Sequence, residues 1–387
     1  MIIQSLHLKN FRNYSQLDLH PDVGVNIFFG PNGSGKTNIL EAIHYCALGK
    51  SHRVSNDQSV IKNGETDAVC ELSIRNQISV QTVGVHISKS ESNRKSIFIN
   101  SKKIQRFSDM MGCFRCVIFS PEDLDMIKEG PSVRRKYLDM MISQIDSKYF
   151  IALQRYRIAL EQRNALLKRI RAGEADLKVL VSFDEILAEE GRTIIQKRTE
   201  IVHKLTEVAM DVYHNISGQE DELLQIQYQS VLPDSESIPD GMMKGLYANR
   251  EDDIRTGLTS IGPHRDDLIF TLNRKNMKMY SSQGQIRTAA LSLKLTQIRI
   301  LYEYSGDRPV LLLDDVMSEL DRNRRVRLEN EISQCQTFIT CTDESDLEMN
   351  QSRNVFSVYS IGNDGFAVSS SGSDSVQHSQ MREPDFS

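Results

Sequence analysis

Gly30-Pro31-Asn32-Gly33-Ser34-Gly35-Lys36-Thr37 constrains this chain more than any other segment. Val25 to Phe29, just before it, is a short apolar run that reads as a buried strand. After it, Ile39, Ile43 and Ala47 share one helical face until Gly49 offers a stop. A glycine-rich loop between a strand and a helix is the setting of a phosphate-binding P-loop. The glycines let the backbone wrap phosphates and the following helix adds the positive end of its dipole, while Lys36 reaches the outer phosphates and Thr37 ligates magnesium. All eight residues are candidate nucleotide contacts, and the implied ligands are ATP and Mg2+.

Val310-Leu311-Leu312-Leu313-Asp314-Asp315 is an apolar strand ending in two carboxylates. Beside a P-loop this is the form of the second magnesium-side motif, with Asp314 toward the metal and Asp315 where a base or water-positioning group sits. Lys36 and Asp315 are therefore the expected catalytic pair, and Thr37 with Asp314 the expected metal ligands. Ser281-Ser282-Gln283-Gly284-Gln285 precedes a helical stretch from Ile286 to Tyr302. Ser282 and Gln285 also fit a capping box, so the plain reading is a capped helix start. Ser318-Glu319-Leu320-Asp321, after the aspartates, would by itself simply open a helix.

At 387 residues the chain exceeds one average domain, which suggests two lobes or one domain with a large insertion. Leu6, Leu8, Leu17 and Leu19 at even spacing around Asn10 to Tyr14 read as a strand pair, and Glu71 to Ile104 is β-like with a hairpin turn around Ser90 to Asn93. The character changes near Pro121. Leu153, Tyr156, Leu160, Leu167 and Ile170, then Leu187, Ile194, Ile201 and Val208, recur at heptad-like spacing. They predict two helices of roughly twenty to thirty residues each, turning near Gly173 into an antiparallel arm or a plain bundle. Pro233 to Asp253 reads as an acidic connector, and the Ser-rich stretch beyond Ser369 as a disordered tail. The expected layout is α/β, a head of mixed β-sheets and helices (1–121 and 258–369) interrupted by a helical arm (122–257), with a tail at 370–387.

No apolar run approaches the roughly 20 residues of a membrane span, and Met1 to Asn13 lacks a secretory-signal layout, so a cytoplasmic protein without membrane contact is expected. Its six cysteines should be reduced; Cys113 and Cys116 have no second pair at zinc-ribbon spacing and read as small hydrophobes. The net charge of -5 argues against a uniformly basic nucleic-acid binder. Yet Lys128 to Arg171 holds eleven Lys or Arg against four Asp or Glu. Arg134, Arg135, Lys136, Arg155, Arg157, Arg163, Lys168, Arg169 and Arg171 are candidates for sequence-independent phosphate contacts. The alternative for each is a solvated helix face with internal ion pairs.

Taken in order, the motifs resemble ATPase heads of the ABC and SMC type. That resemblance makes Ser282, Gly284 and Gln285 the signature loop that meets the γ-phosphate held by a second subunit, places Asp321 in the D-loop, and implies an ATP-induced homodimer. Two departures matter: Asp315 stands where the family usually has Glu, and Cys341-Thr342 follows the next strand where it usually has His. Slow hydrolysis, suited to a switch, is the expectation. No Q-loop glutamine is assigned. The P-loop and the aspartate pair flank the helical arm in the SMC manner, although the arm is far too short for a true SMC protein.

Leu8-Lys9-Asn10-Phe11-Arg12-Asn13-Tyr14, Asn38 to Ile43, Phe119-Ser120-Pro121-Glu122-Asp123-Leu124, Arg134-Arg135, Gly262-Pro263-His264-Arg265-Asp266-Asp267-Leu268 and Ser282 to Gln285 together resemble the RecF family of bacterial DNA-repair proteins over almost the whole chain. The resemblance implies a weak, DNA-stimulated ATPase that binds double-stranded DNA near single-strand/double-strand junctions. It further implies cooperation with RecR and RecO to load RecA in DNA repair, replication, recombination and the SOS response. His264, Arg265, Asp266 and Asp267 read as structural or nucleotide-positioning rather than as a nuclease metal site. A transporter-type ABC subunit would share the motifs but gives no reason for a basic helical insertion. An SMC-like chromosome organiser would need longer arms, and a helicase would need further motor motifs.

Overall fold

The computed structural model describes residues 1–90, 94–232, 237–317, 320–342, 356–362 and 365–370. The chain begins with β1 (Ile2–Phe11), β2 (Tyr14–Leu19), β3 (Val25–Phe29), α1 (Lys36–Leu48), β4 (Asp67–Arg75), β5 (Val80–Ser88), β6 (Lys95–Ile99), β7 (Lys102–Lys103) and β8 (Cys116–Phe119). Helices follow as α2 (Asp125–Lys128), α3 (Pro131–Ser143), α4 (Ser147–Arg171) and α5 (Leu180–Ser217). Next come β9 (Leu224–Gln229), α6 (Ile238–Ala248), α7 (Arg250–Thr256), β10 (Asp267–Leu272), β11 (Lys275–Asn276), α8 (Met277–Tyr280) and α9 (Gln283–Ser305). The last are β12 (Val310–Asp314), α10 (Arg322–Ile332), β13 (Thr337–Cys341), β14 (Phe356–Gly362) and β15 (Gly365–Ser370). Two compact units result, one of residues 1–121 with 301 onward, the other of residues 122–300.

The first unit holds two six-stranded sheets. In the antiparallel one, ordered β2-β1-β4-β5-β6-β7, Leu6 lies opposite Leu19 and Leu8 opposite Leu17, so all four leucines bury on one face. The other runs β15-β14-β3-β13-β12-β8 and is parallel except at β15. Its strands are near-continuous apolar runs, as two-sided burial demands: Leu311, Leu312, Leu313, Phe338 and Ile339 are all buried. Because β13 lies between β3 and β12, the carboxyl ends of these three strands deliver the glycine loop, Thr340 and Asp314 to one edge of the sheet.

In the second unit α4 and α5 form an antiparallel hairpin around Gly173, whose φ of 77° is one that a side chain resists. With 38 residues α5 outruns its expected length, because the apolar spacing continues from Leu180 to Ile216, both buried. Residues 258–300, read from sequence as the return to the head, pack in this unit instead. Here β10 pairs with β9, and Arg134 of α3 grips Asp267. The connector read at Pro233 to Asp253 is largely helical: residues 233–236 lie outside the described set, but Ser237 caps α6, which buries Met242 and Leu246. The hairpin turn expected at Ser90 to Asn93 and the tail fall mostly or wholly outside the described residues. Among those described, no helix is long and apolar enough to cross a membrane.

Candidate nucleotide site and basic face

The loop is held open by its neighbours in the first unit. Arg12, at φ 56° in the tight turn between β1 and β2, forms a bidentate ion pair with Glu41 of α1 at 2.8 and 2.6 Å and also donates to Ser59 O at 2.9 Å. Glu41 is fully buried, so this pair pins the turn to the first helix after the loop. From the same turn Asn13 Nδ2 donates to Ser34 O (3.0 Å) and Tyr14 OH to Gly35 O (3.2 Å). Gly35 has φ 111°, and a Cβ there would meet Asn13 and Tyr14 inside 3 Å, so only glycine fits. Composition and spacing did not reveal this clamp, although the Leu8 to Tyr14 and Asn38 to Ile43 segments that form it were both conspicuous.

Lys36 Nζ donates to Gly30 O (2.7 Å) and Pro31 O (2.9 Å), which places the ammonium inside the curve of the loop. Burial lowers its pKa from the ordinary value, while Asp315 and Asp314 pull it back up. Thr37 Oγ1 donates to Asp314 Oδ1 at 2.8 Å, joining the end of the loop to the end of β12. A second donor to the same oxygen is Thr340 Oγ1, also at 2.8 Å, which in turn accepts from the Asp315 amide at 3.0 Å. Thr340 had drawn no functional reading; its signal is register, since it pairs directly opposite Asp314 across β12 and β13. Asp315 has φ 55°, a left-handed conformation that aspartate tolerates better than most residues and that is common where backbone strain serves a site.

Three observations fit a bound nucleotide and magnesium. Ser34 Oγ is buried without a hydrogen-bond partner among the described residues. A Cβ at Gly33, φ 83°, would meet nothing within 4 Å, leaving backbone amides approachable. Thr37 and Asp314 converge as oxygen ligands of the kind a hard cation takes. Beside the loop opens a cleft of about 730 Å³, lined by Arg12, Asn13, Asn38, Arg53, Val54 and Lys62 among others. In size it matches pockets that hold small molecules.

The Ser282 loop belongs to the second unit. Its capping box is made reciprocally: Ser282 N donates to Gln285 Oε1 (2.9 Å) and Gln285 N to Ser282 Oγ (3.2 Å). Ser282 is exposed at the start of α9. Asp321 caps α10, accepting from Arg324 N at 3.0 Å; Ser318 and Glu319 lie outside the described residues.

Two of the nine candidate DNA contacts are corrected by the structure. Arg163 has no exposed surface; its guanidinium donates to Asp184 (2.7 Å), Asp253 (2.8 Å) and Thr259 Oγ1 (2.9 Å). Arg134 is buried in a bidentate pair with Asp267 at 2.7 and 2.8 Å. Neither can meet a phosphate without abandoning its carboxylate partners. Arg155 pairs with Glu190 at 3.3 Å, Arg171 donates to Arg255 O at 3.1 Å, and Arg135 donates to Asp266 O at 2.6 Å. Lys136, Arg157, Lys168, Arg169 and Arg171 are exposed.

Gly262 to Leu268 is a structural hub of the second unit. Arg198 donates to Pro263 O at 2.7 Å, Asp266 accepts from Tyr228 OH and from Val231 N, and Asp267 holds Arg134. His264 Nε2–H donates to Thr259 O (2.9 Å), and in the neutral ring Nδ1 accepts from Tyr156 OH (2.7 Å). Burial lowers its pKa to about 4, whereas an unfolded histidine titrates near 6.5. The unfolded chain therefore takes up the proton first as pH falls. The stabilisation is complete above pH ~6.5 and lost toward pH ~4, on the order of 3 kcal/mol in all. Urea unfolding should show the wild type losing more stability than His264→Gln between pH 6.5 and 4.5; equal losses would refute this.

A family model described as the RecF/RecN/SMC N terminal domain matches residues 2–364. The DNA replication and repair protein RecF of Clostridium perfringens is 40% identical over 347 residues, covering 90% of this chain and 94% of its own. That of Agathobacter rectalis is 40% identical over 351 residues, covering 91% and 95%. A solved structure of the recombination mediator protein RecF-ATP in the RecFOR pathway matches with a TM-score of 0.87 at 36% identity, over 95% of this chain and 98% of that one. The Smc head domain of Pyrococcus furiosus matches at a TM-score of 0.53 and 16% identity over 96% of each chain, a likeness of fold alone. With such identity spread over nine-tenths of its length, the chain belongs to the RecF family of DNA replication and repair proteins, within the wider RecF/RecN/SMC group.

Proposed function

We propose that the chain is an ATP-dependent DNA-binding recombination mediator of the cytoplasm, switched by slow ATP hydrolysis. The observation that carries this reading is the convergence of Lys36, Thr37, Asp314, Asp315 and Thr340 at the carboxyl ends of three adjacent strands. ATP would lie with its phosphates in the loop and the rest of the molecule toward the Arg12-lined cleft, and Mg2+ would be held by Thr37 and Asp314. Magnesium supplies charge neutralisation at the phosphates when bound. Asp315 is placed to orient or deprotonate the attacking water, and Thr340 fixes the Asp314 carboxylate.

Ser282, Gly284 and Gln285, exposed or partly exposed on the second unit, are proposed to reach the ATP of a second copy, with Asp321 at the same interface. Hydrolysis would then release an ATP-induced dimer. The dimer would hold duplex DNA near single-strand gaps and act with RecR and RecO to load RecA.

Sedimentation and duplex DNA binding of the full chain with ATP, ADP or no nucleotide test this. The wild type should dimerise and bind DNA with ATP alone. Lys36→Arg should weaken nucleotide-dependent behaviour, and Ser282→Arg should still bind ATP yet fail to dimerise. An ATP-indifferent monomer that ignores DNA would return the transporter-type reading.

A further inference from the structure

Within the second unit, α3, α4, α5 and the Pro263-His264 segment enclose a cleft of about 220 Å³, lined among others by Ser132, Arg135, Lys136, Arg157, Arg198 and His264. That is below the roughly 300–1,000 Å³ of pockets for drug-sized ligands and suits a small group. Its charge is unbalanced. Asp139 also lines it but is taken by Arg198, at 2.8 Å, and by Tyr149 OH. His264 is neutral near pH 7, because burial holds its pKa at about 4. Arg135, Lys136 and Arg157 are left facing the cleft, and Arg135 spends one donor on a backbone carbonyl, Asp266 O. Burial and the nearby Arg198 lower the Arg135 pKa while Asp267, Asp139 and Asp266 raise it, and of these three Asp267 and Asp139 are already paired with Arg134 and Arg198. Ser132 adds the first turn of α3, a 13-residue helix with no side-chain cap.

We infer that this cleft is a seat for one phosphate group, which its three cations, none of them in an ion pair among the described residues, assign to the DNA backbone. This rests on the DNA-binding reading above and deepens it: instead of a diffuse basic face, one phosphate is gripped at a fixed place and sets the register of the duplex on the second unit. Arg163 and Arg134, the neighbours buried in ion pairs, hold the scaffold and do not touch the nucleic acid.

The test uses the full chain with ATP and a duplex oligonucleotide over a salt series, comparing wild type, Lys136→Ala, Arg157→Ala and their double variant, with Lys275→Ala on β11 as an exposed control of equal charge change. Loss of one phosphate contact should lower the slope of log affinity against log salt by about 0.9, roughly fivefold weaker binding near 0.15 M salt. Because both side chains serve one seat, either single variant should lose nearly as much as the double, and Lys275→Ala should lose little. Additive losses equal to that of Lys275→Ala would overturn the seat while leaving DNA binding intact. A wild type that does not bind DNA would overturn both readings. In a second arm inorganic phosphate is titrated without DNA against the His264 ring resonances. Saturable shifts in the wild type that vanish in the double variant, with unchanged DNA slopes, would assign the seat to free phosphate and overturn the DNA assignment.

Discussion

Asp315→Asn should lower the single-turnover rate of ATP hydrolysis by about 10²–10⁴-fold, the range that removal of a general base produces, while the proposed ATP-dependent dimer should still form and live longer. The substitution is chosen for the backbone. Asp315 sits at φ 55° with its amide donating to Thr340 Oγ1. Asparagine is the other residue that enters this region readily, so the change removes charge without adding strain. Asp314 retains its hydrogen bonds from Thr37 and Thr340. Quenched-flow hydrolysis beside sedimentation separates the two roles. A variant that turns over at the wild-type rate would show that Asp315 is not the water-activating group. A variant that no longer dimerises would show that its charge serves assembly.

The second large effect is on stability. Arg163→Ala should destabilise the second unit by about 3–5 kcal/mol, because it strands two buried carboxylates, Asp184 and Asp253. Arg250 approaches Asp184 at 3.2 Å and compensates only one of them. Arg155→Ala, the same change eight residues earlier on α4, removes an exposed arginine from a 3.3 Å pair with the half-buried Glu190 and should cost about 0–1 kcal/mol. The chain has no tryptophan, so urea unfolding is best followed by circular dichroism, with hydrogen exchange reporting α4 separately from the first unit. Equal losses for the two variants would mean that the Arg163 network is not the anchor of the hairpin.

Legibility differed sharply between parts of the chain. The strand-loop-helix from Val25 to Gly49 could be read residue by residue, because each signal acts on its immediate neighbours: apolar run, glycines, helical period, stop. The leucine pairs of β1 and β2 were visible for the same reason. Residues 258–300 were assigned to the wrong neighbourhood, since the β9–β10 pairing and the Arg134–Asp267 grip link positions far apart in the chain. The Pro233 to Asp253 segment reads as a connector because it is acidic and turn-rich, yet Met242 and Leu246 find a buried face and make the part after Ser237 a helix.

The site divides in the same way. Its sequence alone determined that this chain carries a phosphate-binding loop and a strand ending in two aspartates, because such motifs depend on contiguous residues whose backbone and side chains act together. Only the tertiary structure decided that Thr340 completes the Asp314 cluster, that Arg12 locks the turn to α1, and that Arg163 is buried while Arg157 faces a cleft. Both arginines add equally to a charge count. Their difference comes from carboxylates at positions 184 and 253, which local spacing cannot bring into view and folding places within 3 Å of Arg163.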